Sequence, residues 1–159
     1  MDRLDELYVR RADAIVRLAY LLTGDGALAE DLAQVCFVRL AGRFVHLRDL
    51  EAAAAYLRRT VVNLANSHFR HAAVERSFAD RQAPAAAIEG IDVASREAVR
   101  RVLMRLPPRQ RAAVVLRYYE DLSERVTADL LRCRPGRVKS LVSHAMEKLR
   151  AEMEGERDG

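Results

Sequence analysis

The sequence predicts an all-α chain: two small helical domains joined by a flexible linker, the second containing a helix-turn-helix. Three observations predict it. Apolar residues recur at three- and four-residue spacing over most of the 159 residues, and no segment alternates as a half-buried strand would. Residues 72–94, with eight alanines, Pro84, Gly90 and four acids against two bases, interrupt that periodicity. Between Ser123 and Arg150 a short helix, a tight turn and a proline-started basic helix follow one another.

The first helix carries Leu4, Leu7, Tyr8, Ile15, Leu18, Ala19 and Leu22 on its core side, and it stops at "TGD", where Gly24 can take the left-handed C-terminal position. Asp25 is the expected cap of a second helix, with a stripe of Leu28, Leu32, Val35, Cys36 and Leu40 running to about Gly42. After the loop "GRFVHLR", Asp49 caps a third helix with Leu50, Ala53, Leu57, Val61, Leu64 and His68 on one face. Helicity resumes near Ser95 with Val99, Val102, Leu103 and Leu106, halts at the Pro107–Pro108 pair, and restarts at Pro108, which suits a first helical turn. "RQRAAVVLRYY" supplies the next apolar face.

Ser123 is the expected N-cap of a two-turn helix with Val126, Leu130 and Leu131 buried. Pro135 lacks an amide hydrogen, so it belongs at the start of the following helix. There Val138, Leu141, Val142, Ala145 and Leu149 form the core stripe; Ser140, Ser143, His144 and Glu147 point outward, with Arg137 and Lys139 on the flanks. Residues 132–150 hold six bases and one acid. A basic helix packed across a shorter one is how helix-turn-helix proteins present a reading helix to the major groove.

Composition bounds the function. Half the residues are hydrophobic, enough for real cores, but the longest apolar runs are a few residues, so no membrane span is expected and a cytoplasmic protein is. Net charge is +4 and uneven, −2 over residues 1–55 and +6 over the rest, which points a polyanion at the second part. Cys36 and Cys133 lack CxxC pairing and read as packing thiols. His68 and His71 have no second Cys/His pair to complete a metal set, and neither a nucleophile elbow nor a Gly-rich phosphate loop is present. No metal, cofactor or catalytic residue is therefore expected. In the third helix Arg59, Asn63, Asn66 and Arg70 recur at i, i+4, i+7 and i+11, a polar stripe opposite Leu57 and Val61 that can bond phosphates and base edges; Phe69 beside it and Phe44 in the preceding loop can stack on unpaired bases. The bland alternatives are a solvated basic face and two core phenylalanines, and Asp31 and Gln34 could equally be surface residues.

"DLSERVTADLLRCRPGRVKSLVSHAMEKLR" resembles the C-terminal DNA-binding domain of bacterial extracytoplasmic-function (ECF) sigma factors of the sigma-70 family, especially the compact actinobacterial, SigE-like group. That family shows a pattern like D-L-S-E-x-E-x-A-x-x-L-G-C-S-x-G-T-V-K-S. Here Val126 replaces an acid, Arg132 the turn glycine, Arg134 the serine cap and Arg137 the threonine. "RLAYLLTGDGALAEDLAQVCFVRL" and "AYLRRTVVNLANSHFR" resemble the family's first domain, so the likeness covers almost the whole chain, least so the linker.

The resemblance implies a sigma factor that binds RNA polymerase core and directs promoter recognition, with no enzyme activity of its own. Residues 1–71 would bind the clamp helices, through Asp31 and Gln34, and melt the start-proximal element. There the loop residues Phe44, His46 and Arg48 and the helix residues Arg59, Asn63, Asn66, Phe69 and Arg70 would meet single strands. Residues 72–94 would be the linker. Residues 95–152 would read the upstream element as duplex through Arg134, Arg137, Lys139, Ser140, Ser143 and His144 and meet the polymerase flap, followed by a tail at 153–159. An anti-sigma protein is a further possible partner. The alternatives are a stand-alone helix-turn-helix regulator and a polymerase or anti-sigma adaptor with weakened DNA reading.

Overall fold

The computed structural model describes residues 3–43, 49–72 and 93–158. Apart from the short turns between helices these residues are helical, without a strand among them, in the order α1 (Arg3–Thr23), α2 (Gly26–Arg43), α3 (Leu50–Ala72), α4 (Val93–Met104), α5 (Pro108–Val114), α6 (Glu124–Leu131) and α7 (Pro135–Asp158), with a π-helical turn, Val115–Tyr119, between α5 and α6. The chain divides into two compact units, Met1–Arg96 and Glu97–Gly159. The expected linker and the loop with Phe44, His46 and Arg48 lie outside the described residues, apart from the linker's ends, which are the last residue of α3 and the first two of α4.

In the first unit α1, α2 and α3 each pack against the other two. The breaks between them are chemically marked. Gly24 at φ 71° accepts the left-handed position at no side-chain cost, and its amide donates to the Tyr20 carbonyl at 2.7 Å, closing α1. The Thr23 hydroxyl donates to the Ala19 carbonyl at 2.8 Å, and the Asp25 carboxylate accepts from the Leu28 amide at 3.1 Å, opening α2. Asp49 does the same for α3, accepting from the Ala52 amide at 2.7 Å.

Leu7, Leu18, Leu40, Leu57, Val61 and Val62 are sealed in this core, each buried leucine contributing about 2 kcal/mol of transfer free energy. Two stripes are turned relative to the sequence expectation. Tyr8 and Val35 are exposed, 49% and 38%, because α2 buries the face of Ala29, Ala33, Cys36 and Phe37, whose small residues admit a neighbouring helix closely; following only the large residues tilts the stripe toward Val35. Tyr8 still meets Phe37 edge-on, ring centroids 4.9 Å apart. On α3, Leu64 and His68 are half-buried while Val62 and Ala65 are buried, since α3 is covered by two helices rather than one.

Burial pushes the Cys36 thiol up to about 12, against a weaker opposing pull from Arg39. The folded thiol therefore stays protonated while the unfolded one ionises near 9, so stability from this group is lost as pH rises between about 9 and 12. A maleimide at neutral pH is expected to label the half-exposed Cys133 and to spare Cys36 until the chain is denatured; equal native labelling, read by mass spectrometry, would show that the first unit opens readily.

The second unit is fastened by arginines. Pro107 precedes α5 and Pro108 opens it, as expected. Arg111, only 3% exposed, donates from Nε to the Leu103 carbonyl and from Nη2 to the Leu106 carbonyl, both at 3.0 Å. The first lies in the last turn of α4, where it also accepts from the Leu106 amide at 3.1 Å, and the second lies two residues beyond the helix. Arg109 donates to the Leu131 carbonyl at the end of α6 at 3.0 Å, and Arg117 donates to the Leu122 carbonyl. Desolvation lowers Arg111 to about 10, so it remains charged at neutral pH. The π turn, with the Glu120 amide donating to the Val115 carbonyl at 3.1 Å, buries Val115 and Leu116 and leaves Tyr118 and Tyr119 exposed.

Val99, Val102 and Val126, expected in this core, are exposed. Packing here is through Leu103 in the last turn of α4 and Leu106 just beyond it, and α6 buries Thr127, Ala128, Leu130 and Leu131, an arc that turns away from Val126. Helix α7 runs to Asp158, with Glu152 and Arg105 3.4 Å apart. Thr127 is fully buried and its hydroxyl has no hydrogen-bond partner. Thr127→Val keeps the shape and removes the unpaired group, so it is expected to stabilise the second unit by about 1 kcal/mol in thermal unfolding; a loss of stability would mean the hydroxyl is satisfied in solution.

Candidate nucleic-acid interface

Helices α6 and α7 pack across a turn built on a single unusual residue. The Ser123 hydroxyl accepts from the Val126 amide at 3.1 Å and starts α6; with valine at 126, the reciprocal half of a capping box is missing. At the other end Arg132 takes the left-handed conformation, φ 56° and ψ 49°. Its amide donates to the Asp129 carbonyl at 3.3 Å, and the Cys133 amide donates to the Ala128 carbonyl at 3.0 Å. This pair of bonds is a complete Schellman closure, formed with arginine where glycine is the usual occupant, at a cost of about 1 kcal/mol. The Arg134 carbonyl then accepts from the Arg137 amide at 2.9 Å as α7 begins at Pro135.

Val138, Leu141 and Ala145 seat α7 in the core, with Val142 and Leu149 half-buried beside them. Arg134, Arg137, Lys139, Ser143 and His144 are exposed and Ser140 is half-buried. These six residues thus lie on the free side of one helix and its entry.

In the first unit, Arg59 and Arg70 are exposed and Asn63 and Asn66 half-buried on α3, a row that leaves the core between Leu57 and Val61 on the other side. Phe69 is half-buried on its shoulder, edge-on to His68 at 5.3 Å. The row continues one turn earlier with Tyr56, over whose ring the Arg43 guanidinium stands 5.9 Å from the centroid; this aromatic was not singled out in the sequence, although its spacing of three from Arg59 places it on the row. Phe44, His46 and Arg48 lie outside the described residues. Asp31 and Gln34 are exposed one turn apart on α2, on another helix from the row. Val35 and Val38, the latter 74% exposed, share their side, and exposed valines there are a feature the sequence pattern had assigned in part to the core. Among the described residues no cluster of three potential metal ligands exists, and no helix is long and apolar enough to cross a membrane.

Residues 7–74 match Sigma-70 region 2 and residues 96–149 match Sigma-70, region 4. The RNA polymerase sigma-E factor of Streptomyces avermitilis is 38% identical over 154 residues, covering 94% of this chain and 84% of that protein. The chain belongs to the sigma-70 family. Its ECF branch is indicated by the ECF RNA polymerase sigma factor SigM of Mycobacterium tuberculosis, 33% identical over 148 residues with 91% of this sigma factor and 74% of that one covered. In fold, the sigma factor resembles RpoE of Bartonella quintana, solved in complex with the anti-sigma factor NepR, at a TM-score of 0.74 and 22% identity over 97% of this chain and 98% of that one. The α3 row and the α2 face of this sigma factor fall within the region 2 match, and the α6–α7 pair within region 4.

Proposed function

We propose that this sigma factor binds RNA polymerase core and holds a promoter at two places, with the α3 row on opened strands and α7 on duplex. The observation that carries this reading is the pairing of two separately packed helical units in one chain, each with a polar or basic helix face left free by its own core. Arg59, Asn63, Asn66 and Arg70, with Phe69 at their side, supply donors and acceptors for phosphates and base edges together with a stacking surface. Phe44, His46 and Arg48 would join them from the adjoining loop.

Arg134, Arg137, Lys139, Ser140, Ser143 and His144 would meet the major groove and its rim. Asp31 and Gln34, with the exposed Val35 and Val38, would dock on the polymerase clamp. An anti-sigma protein that covers either face is a partner this reading admits, and its setting is the cytoplasm. The bond chemistry belongs to the polymerase, and the sigma factor contributes differential binding to the opened promoter. The complete closure of the turn at Arg132 supports a working reading helix over an adaptor that has lost it.

The test is transcription in vitro by purified core on a pool of promoter fragments, with and without the chain. New, sequence-dependent starts are expected only with it. Tight operator binding by the free chain, with no new starts, would support the stand-alone regulator instead.

A further inference from the structure

Several arginines of the second unit already have internal partners. Arg109, Arg111 and Arg117 are spent on backbone carbonyls, and Arg100 and Arg105 lie near glutamates. Arg132, Arg134, Arg137 and Lys139 stand within eight residues with no acid among them. All four are exposed, and none has a hydrogen bond or ion pair from its side chain. Keeping them costs the free protein in several ways. Like charges follow one another through the turn and the start of α7, they sit toward the positive end of the α7 dipole, and Arg132 holds a left-handed backbone that glycine would take without strain. Three of the four stand where the family pattern has glycine, serine and threonine. The closure of the turn uses only backbone groups, so the Arg132 side chain contributes nothing to it.

We propose that these residues form a phosphate clamp that makes the grip of α7 on duplex DNA depend on backbone charge more than on base edges. The upstream half of the promoter would then be held with little discrimination, and promoter choice would fall mainly to the α3 unit. This deepens, and rests on, the assignment of α7 to the duplex. Arginine's planar fork matches phosphate oxygens and is released from no internal partner on binding. Where a short serine or threonine hydroxyl at 134 and 137 would contact only what lies directly against the helix, the long arginines reach the strands on either side of the groove. A first-turn arginine can also read guanine by a paired contact, and that is the outcome that would refute the clamp.

The experiment measures binding of the holoenzyme to promoter fragments from 50 to 200 mM salt, with each upstream base pair changed in turn. The wild type is compared with Arg132→Gly, Arg137→Thr and the combined R132G/R134S/R137T chain. For the wild type, single upstream changes are expected to alter affinity by less than about threefold. In the combined variant the slope of log affinity against log salt should flatten by about 2–3, near one unit per lost phosphate contact. Arg132→Gly should melt no lower than wild type yet bind more weakly, a combination a purely structural role would not produce. An unchanged slope, or a loss of tenfold or more on replacing one guanine in the wild-type site and of none in Arg137→Thr, would overturn the clamp and leave the sigma-factor reading intact. No sequence-dependent binding by any holoenzyme would overturn both.

Discussion

Arg111→Met is expected to destabilise the second unit by about 2 kcal/mol, a large share of what a domain this small possesses. The guanidinium is sealed from water, and its Nε and Nη2 reach the Leu103 and Leu106 carbonyls at 3.0 Å, in the last turn of α4 and just beyond it, where the proline pair forbids further helical bonding. Methionine keeps most of the stem's volume and supplies no donor, so the Leu106 carbonyl is stranded at about 1–3 kcal/mol while the Leu103 carbonyl keeps only the Leu106 amide at 3.1 Å, a loss partly offset because a desolvated charge is removed. Arg111→Lys should fall between, since one ammonium cannot fork to both acceptors. Urea unfolding followed by circular dichroism on the full chain checks this. A methionine variant as stable as the wild type would mean that the carbonyls find water and that the clamp at the α4–α5 joint is dispensable.

Asn63→Ala is expected to reduce promoter-dependent initiation by roughly ten- to a hundredfold, the range that corresponds to losing one well-placed paired contact of about 1–3 kcal/mol. Asn63 sits at the middle of the α3 row, half-buried, flanked along the helix by Arg59 and Asn66. Its amide has a fixed approach and both donor and acceptor capacity, whereas the exposed Arg59 and Arg70 contribute mainly charge. Loss at Asn63 should therefore depend on the identity of a start-proximal base and change little with salt. Arg59→Ala should weaken all sequences alike and flatten the salt dependence. Permanganate footprinting of the opened strands, alongside a core-binding assay expected to be unchanged, separates a defect in strand recognition from one in assembly. Equal activity of Asn63→Ala on every promoter would remove the row's central residue from the site.

Helix starts and stops in this chain are local events, and so the sequence alone determined them. Gly24, Asp25, Asp49, Pro108, Ser123 and Pro135 act through their own φ preference or a side chain reaching an amide three residues on, and the structure places each as its chemistry requires. The exposed rows on α3 and α7 were legible for a related reason. A helix with large apolar residues on one side leaves the other side free, whatever its neighbours are.

Tertiary structure decided which side of α2 is buried, because Ala29 and Ala33 earn their burial by letting another helix approach, and alanine carries no strong apolar signal of its own. It also decided the role of Arg111. An arginine in an apolar stripe reads as surface until the carbonyls of a separate helix end are brought to it, and only packing brings them. The left-handed Arg132 lies between these cases: its strain follows from the chain's own turn, but that its charge stays unpaired is a property of everything folded around it.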